Sequence, residues 1–251
     1  MRGGLFIYIT IFLFSITASR AADNSAPKLG VNDVKSILLS YSKSESNTTT
    51  FDRLQIVLSN LTKKQGQYKK ESDFVEYLYY YTHRKLLKKY DQYASLSETL
   101  TSGTYDCLTA TAVYSILFTE LSVPHAIVET NYHIYILVYP DSENEILLET
   151  TDPTYGFISN TNEIEHLKSE YRLANGEQAS GQVDLNIDIE RRLEDQELIG
   201  LLFYNQSVNE LNRGNWQLAD DLANEAINYY SNARIIKLLE FIDSSYKSAA
   251  L

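Results

Sequence analysis

Three side chains in the middle of the chain, Cys107, His133 and Asp152, have the types and the order of a thiol catalytic triad. A thiol is a weak nucleophile until it ionises. A helix N-terminus offers it partial positive charge and a nearby imidazolium a whole one, and both lower its pKa. A carboxylate behind the imidazole fixes the ring's tautomer and stabilises its charged form. Taken singly, each residue has a plainer use: a lone Cys packs as a small hydrophobe, a strand His is satisfied by its neighbours, and an Asp before Pro153 forms a turn. Asp106, next to the Cys, is a good helix N-cap, but it would raise the thiol pKa if its carboxylate faced the sulfur. Glu149 is an alternative third member if the sheet register differs. It stands three residues from Asp152 and falls on the other side of a regular strand.

The surrounding elements must bring these groups together. Asn32 can cap a helix through Tyr41, and Leu54, Val57, Leu58 and Leu61 recur on one face of a helix over Asp52–Lys64. Ser72 is expected to cap a long helix whose stripe of Phe74, Leu78 and Tyr81 is extended by Leu86, Leu87 and Tyr90. After Ser102 and Gly103, Asp106 caps a helix that begins at Cys107 and carries Leu108, Ala112, Ile116 and Leu121 up to the break at Pro124. The period then becomes two. Ala126–Thr130, His133–Tyr139 and Glu145–Thr151 read as strands, the last two joined by the polar turn Asp141–Asn144 into an antiparallel hairpin. That hairpin sets His133 beside Thr151 and Asp152. His83 and His125 have polar packing roles available to them.

The run GTYDCLTATAVYSILFTELSVPHAIVE, then NYHIYILVY, then ETTDPTYGF, resembles the transglutaminase-like core, a papain-type fold. Its pattern is a Cys opening a buried helix, a His beginning the next strand but one, and an Asp within Asp-Pro-Thr, matched here by Cys107, His133 and Asp152 with Pro153 and Thr154. The resemblance covers roughly residues 100–160. The Cys-to-His interval is shorter than the family's, and Ile134 and Tyr135 follow the His where the family has a small residue and Trp. The resemblance implies an α+β papain-like domain over 31–172 and attack by Cys107 on an amide or peptide bond of a peptide or protein substrate. His133 would shuttle the proton and Asp152 orient His133. The acceptor, water or an amine, is left open. For the oxyanion hole the candidates are the Cys107 amide and Gln92, expected on the preceding helix.

Tyr204–Tyr230 resembles one tetratricopeptide repeat, with Ser207 at the helix crossing, Gly214 and Trp216 at the turn, and Ala219, Ala223 and Ala226 lining the second helix. One repeat cannot bury its own apolar face. The pair is therefore expected to dock on Ala233–Tyr246 through Ile235, Leu238, Leu239 and Ile242, as a brace or as a groove for a protein partner. This appendage spans 190–248, after a linker over 173–189.

Composition excludes several other classes. The 251 residues are 44% hydrophobic and 12% aromatic, enough for one substantial core or two small ones. Lys and Arg number 22 against 33 Asp and Glu, a net charge of −11, which leaves no basic field for a phosphate backbone and so no nucleic-acid partner. A single Cys and four His without His-x-x-x-His spacing predict no disulfide, metal or other cofactor. At the N-terminus, Arg2, the apolar run Leu5–Ile16 and the small residues around Ala21 read as a signal peptide over 1–21. Its removal takes Arg2 and Arg20, and the charge moves from −11 to −13. The apolar run is shorter than the roughly 20 residues a membrane helix needs. The expectation is an exported protein, periplasmic or secreted, without a membrane span; an uncleaved N-terminal anchor is the alternative.

Overall fold

The computed structural model describes residues 49–130, 133–178 and 190–249. The signal-peptide reading of 1–21 and the helix expected over Asn32–Tyr41 lie outside the described residues. Helix α1 (Thr49–Gln65) buries Leu54, Val57 and Leu61, the stripe its sequence sets out. Helix α2 (Glu71–Leu86) has Lys70, not Ser72, at its N-cap, buries Phe74, Val75, Leu78 and Tyr79, and stops earlier than its apolar stripe suggests. The chain leaves it for a two-residue strand, β1 (Lys89–Tyr90), paired in parallel with β2 (Thr104–Tyr105). The Lys88 and Lys89 amides both donate to the Gly103 carbonyl, at 2.8 and 3.2 Å. Gly103 has φ +87°, and a side chain there would meet Lys88 and the Leu86 carbonyl, so this crossing requires glycine. A short helix, α3 (Leu96–Thr101), lies between β1 and β2, opened by a Ser95–Glu98 capping box.

Helix α4 (Cys107–Glu120) forms the centre of the core, with every residue from Leu108 to Phe118 buried. Its sequence shows no single apolar stripe because it is covered on all sides. Three of the polar groups it carries inward are paired: Thr111 with the Thr150 hydroxyl (3.2 Å), Ser115 with His125 Nε2 (2.9 Å), and Tyr114, which donates to the Tyr79 carbonyl (2.8 Å). A five-stranded antiparallel sheet packs against it. The sheet comprises β3 (His125–Thr130), β4 (Ile134–Val138), β5 (Ile146–Leu148), β6 (Phe157–Ile158) and β7 (Glu190–Leu193), in the order β6-β5-β4-β3-β7. One face, with Ile127, Ile134, Ile136, Val138, Ile146 and Leu148, joins the α4 core. The other, with Val128, Tyr135, Leu137 and Leu147, is covered by Ile164, Leu167 and Tyr171 of α5 (Thr161–Gln178). The chain is thus of the α+β class.

The C-terminal third is built into this core. Residues 173–178 of the expected linker continue α5, and 179–189 lie outside the described residues. Strand β7 then pairs with β3, setting Ile127 opposite Leu193 and Thr130 opposite Glu190. Helix α6 (Asp195–Asn212) buries Leu198, Ile199, Leu201, Leu202 and Phe203 in the same apolar cluster as α4. Helix α7 (Trp216–Tyr229) runs back along α6, where the Ser207 hydroxyl donates to the Ala219 carbonyl at 2.6 Å. Helix α8 (Ala233–Ala249) covers the alanines as expected, with Ile242 against Ala219 and Ala223. Among the described residues no helix is long and apolar enough to cross a membrane.

Candidate active site

The site begins with the start of α4. Asp106 is its N-cap: Oδ1 accepts from the Thr109 amide at 2.8 Å, while the Asp106 amide donates to the Thr109 hydroxyl at 3.0 Å. The other oxygen, Oδ2, accepts from Asn205 Nδ2 of α6 at 2.7 Å. Cys107 is therefore the first residue of a helix, as its sequence indicates, and it is partly buried. The thiol is not activated as that position suggests. Burial, then the charge of Asp106, and to a lesser degree that of Glu149, push it up to about 12, against the pull of the Cys107 and Leu108 amides. Burial also raises the carboxyl pKa of Asp106, opposed by its Thr109 and Asn205 hydrogen bonds.

The second half of the site is the end of the hairpin. His133 Nε2 lies 2.7 Å from Glu149 Oε2, and the other Glu149 oxygen accepts from the Tyr171 hydroxyl of α5. The Tyr171 ring lies 5.2 Å from that of His133, centroid to centroid. Asp152 does not take the expected place behind the imidazole. Its Oδ1 accepts the amides of Thr154 (2.8 Å) and Tyr155 (2.9 Å), forming an Asx turn before β6. The register explains the exchange. Leu137 pairs with Leu147, so residues two and four before Leu137, and two after Leu147, share one face: Tyr135, His133 and Glu149. Glu149 is fixed from behind by Tyr79, whose buried hydroxyl donates to the carbonyls of Glu149 (2.7 Å) and Asp152. Gly156 sits against that hydroxyl, and any side chain there would collide with it.

Cys107 and His133 meet as walls of one cavity of about 360 Å³. They reach it from different sides, since the register puts His133 on the sheet face that α5 covers and Cys107 heads the helix packed on the opposite face. Gln92 also lines the cavity, from a turn after β1 and not from a helix. No family model, curated protein or solved structure matches the chain. The cavity's own chemistry must then carry the functional reading.

Four further lining residues escape a reading of the motifs alone: Glu129, Tyr204, Asn205 and Arg234. Glu129 is almost fully buried on the α4 side of β3, where Tyr230 Oη donates to its Oε2 at 2.8 Å. Arg234 Nη2 stands 2.9 Å from Oε1, close enough for an ion pair but without the alignment of a hydrogen bond. The sequence held one signal for this network: Glu129 occupies an inward position, two residues after Ile127, in an otherwise apolar strand. Two of the other histidines are placed structurally. His125 bonds Ser115 and the Val123 carbonyl (3.0 Å), and His83 is buried among Tyr79, Tyr105 and Tyr114. Burial lowers the His83 pKa to about 4. Among the described residues no group of three or more His, Cys, Asp or Glu is arranged to hold a metal.

Proposed function

We propose that the chain is an exported thiol enzyme with a papain-like, transglutaminase-like core, acting on an amide or peptide bond through a Cys107 acyl-enzyme. The observation that carries the reading is the imidazole of His133, held by Glu149 at 2.7 Å, opening on the cavity that also exposes the thiol heading α4. His133 takes the thiol proton as sulfur attacks the carbonyl carbon. It returns that proton to the leaving nitrogen as the C–N bond breaks. Water or an amine then attacks the thioester and regenerates the thiol. Glu149 compensates the imidazolium formed between these steps, the role the motif assigns to Asp152. The high thiol pKa suits this order of events, because a neutral resting thiol needs a base within the site. The Cys107 amide, with Gln92 in the same cavity wall, is available to a developing oxyanion. An activity-based thiol probe applied to the folded protein tests the reading. Labelling at Cys107 that is lost in Cys107→Ala and slowed in His133→Ala supports it, and labelling only after denaturation defeats it.

A second reading follows from the burial and charge that suppress the thiol and from the approach of the two groups from opposite sheet faces. In it the fold is a noncatalytic scaffold whose C-terminal helices bind a protein partner. Unchanged thiol reactivity in His133→Ala would favour it.

A further inference from the structure

The cavity carries a cation whose donors are not used up. Arg234 stands at the start of α8 with its side chain 24% exposed, and its guanidinium forms part of the cavity wall. Among the described residues two contacts fix it: Glu129 Oε1 at 2.9 Å, and the Tyr204 ring, whose centroid lies 5.8 Å from the guanidinium carbon. Glu129 is held in turn by the Tyr230 hydroxyl, which itself accepts from Asn232 Nδ2 at 2.8 Å. Carboxylate, ring and hydroxyl all come from well-packed elements, so the guanidinium is held in place before any ligand arrives. A guanidinium has five N–H donors in a planar fork, and among the described residues a single polar contact, with Glu129, leaves most of them unspent. A fixed, partly desolvated guanidinium at a cavity wall suits a planar oxyanion, which it can grip with two parallel hydrogen bonds.

We infer that Arg234 is a specificity-determining residue that binds a carboxylate of the substrate, so that the compound entering the cavity carries an anionic group apart from the bond attacked at Cys107. The inference rests on the thiol-enzyme reading for the identity of the attacked bond, but not for the existence of the anion subsite. Other charges face the same space: Asp106 at the start of α4, Glu129 on β3, and His133 with Glu149 at the hairpin end. The carboxylates among them would repel an anion, so attraction measured there must come from a basic group, and among the described residues Arg234 and His133 line the cavity. The two are separable by substitution, because Arg234→Gln removes the guanidinium and leaves His133 in place.

Iodoacetate and iodoacetamide supply the test. Both alkylate a thiolate with loss of iodide, are nearly the same size and differ in charge. At pH 8.5, the ratio of their second-order rates at Cys107 should be higher in the wild type than in Arg234→Gln by about fivefold or more, the effect of one unscreened charge contact. The difference should shrink in high salt. The melting temperature gives a second readout that does not involve the thiol: glutarate should raise it saturably in the wild type, glutaramide should not, and Arg234→Gln should lose the response. A rate ratio unchanged by Arg234→Gln overturns the inference. If the thiol is inert to both reagents, the catalytic reading falls and the glutarate response alone decides the subsite. If Arg234→Gln fails to fold, glutarate against glutaramide on the wild type decides it, equal responses overturning the inference.

Discussion

Glu149→Gln removes one charge from the site and almost no volume. The Glu149 oxygens receive His133 Nε2 at 2.7 Å and the Tyr171 hydroxyl. An amide presents one oxygen and one NH₂ in their place, so either His133 or Tyr171 loses its acceptor and no charge remains to balance an imidazolium. A hydrogen bond to a charged group contributes about 1.5–3 kcal/mol net. At about 1.4 kcal/mol per factor of ten, turnover or His133-dependent alkylation of Cys107 should fall roughly 10- to 150-fold. The assay is the iodoacetamide rate at Cys107 as a function of pH, read beside the melting temperature so that a folding defect is seen separately. Asp152→Asn is the control. Its amide oxygen can still accept from the Thr154 and Tyr155 amides, and the rate should stay within about threefold of wild type. If Asp152→Asn is as slow as Glu149→Gln, or slower, the role given to Glu149 is wrong.

Cys107→Ala should abolish turnover while changing stability by no more than about 1–2 kcal/mol, since one small, partly buried side chain is lost; denaturant titration checks the second half. His83 has a folded pKa lowered to about 4 from an ordinary 6.5. The unfolded chain therefore binds the extra proton first, and the contribution of His83 is complete above pH 6.5 and lost as pH falls toward 4. Melting curves across that window should show a loss of up to roughly 3 kcal/mol, flattened in His83→Gln. Ending the chain after Asp188 removes β7 and takes Leu198, Leu202 and Phe203 out of the core, each contributing about 1.5–3 kcal/mol by burial. The truncated protein should aggregate or lose its cooperative melt, and a folded product with unchanged melting temperature would contradict the shared core.

The local signals around Cys107 were legible because each had one reading: Asp106 before an apolar run is a cap, and Pro124 is a stop. The hairpin was legible too, and its register with it: the pairing of Leu137 with Leu147, continued along the strands, sets His133 opposite Thr151. What was missed is the alternation and the strand's end: Glu149, not Asp152, shares the face of His133, and β5 stops at Leu148 before the chain turns toward β6. The end of α2 escaped for a different reason. The basic His83, Arg84 and Lys85 suit a last helical turn, but no Gly or Pro stops the apolar stripe there, and the chain leaves the helix for β1, which is held by a ladder to Thr104 and Tyr105. Strand β7 reads Glu-Arg-Arg-Leu, its first three residues exposed at the sheet edge, so no alternation of apolar residues marks it. The tetratricopeptide-like spacing located the alanine seam correctly. It could not show that the outer face of α6 packs on α4, because that contact depends on tertiary structure.

The bond from Asn205 to Asp106 joins residues 99 positions apart. A ribosome adding about 5–20 residues per second takes several seconds to travel that distance, and longer to reach Arg234. From the addition of Glu149 to that of Asn205 the thiol, the imidazole and Glu149 have all been synthesised, while one wall of the cavity has not. The nascent chain thus carries its reactive groups without the enclosure that would select a substrate for them. The cavity closes only after α6 and the start of α8 have been made, so ordering in time, as well as in space, separates the open site from the enclosed one.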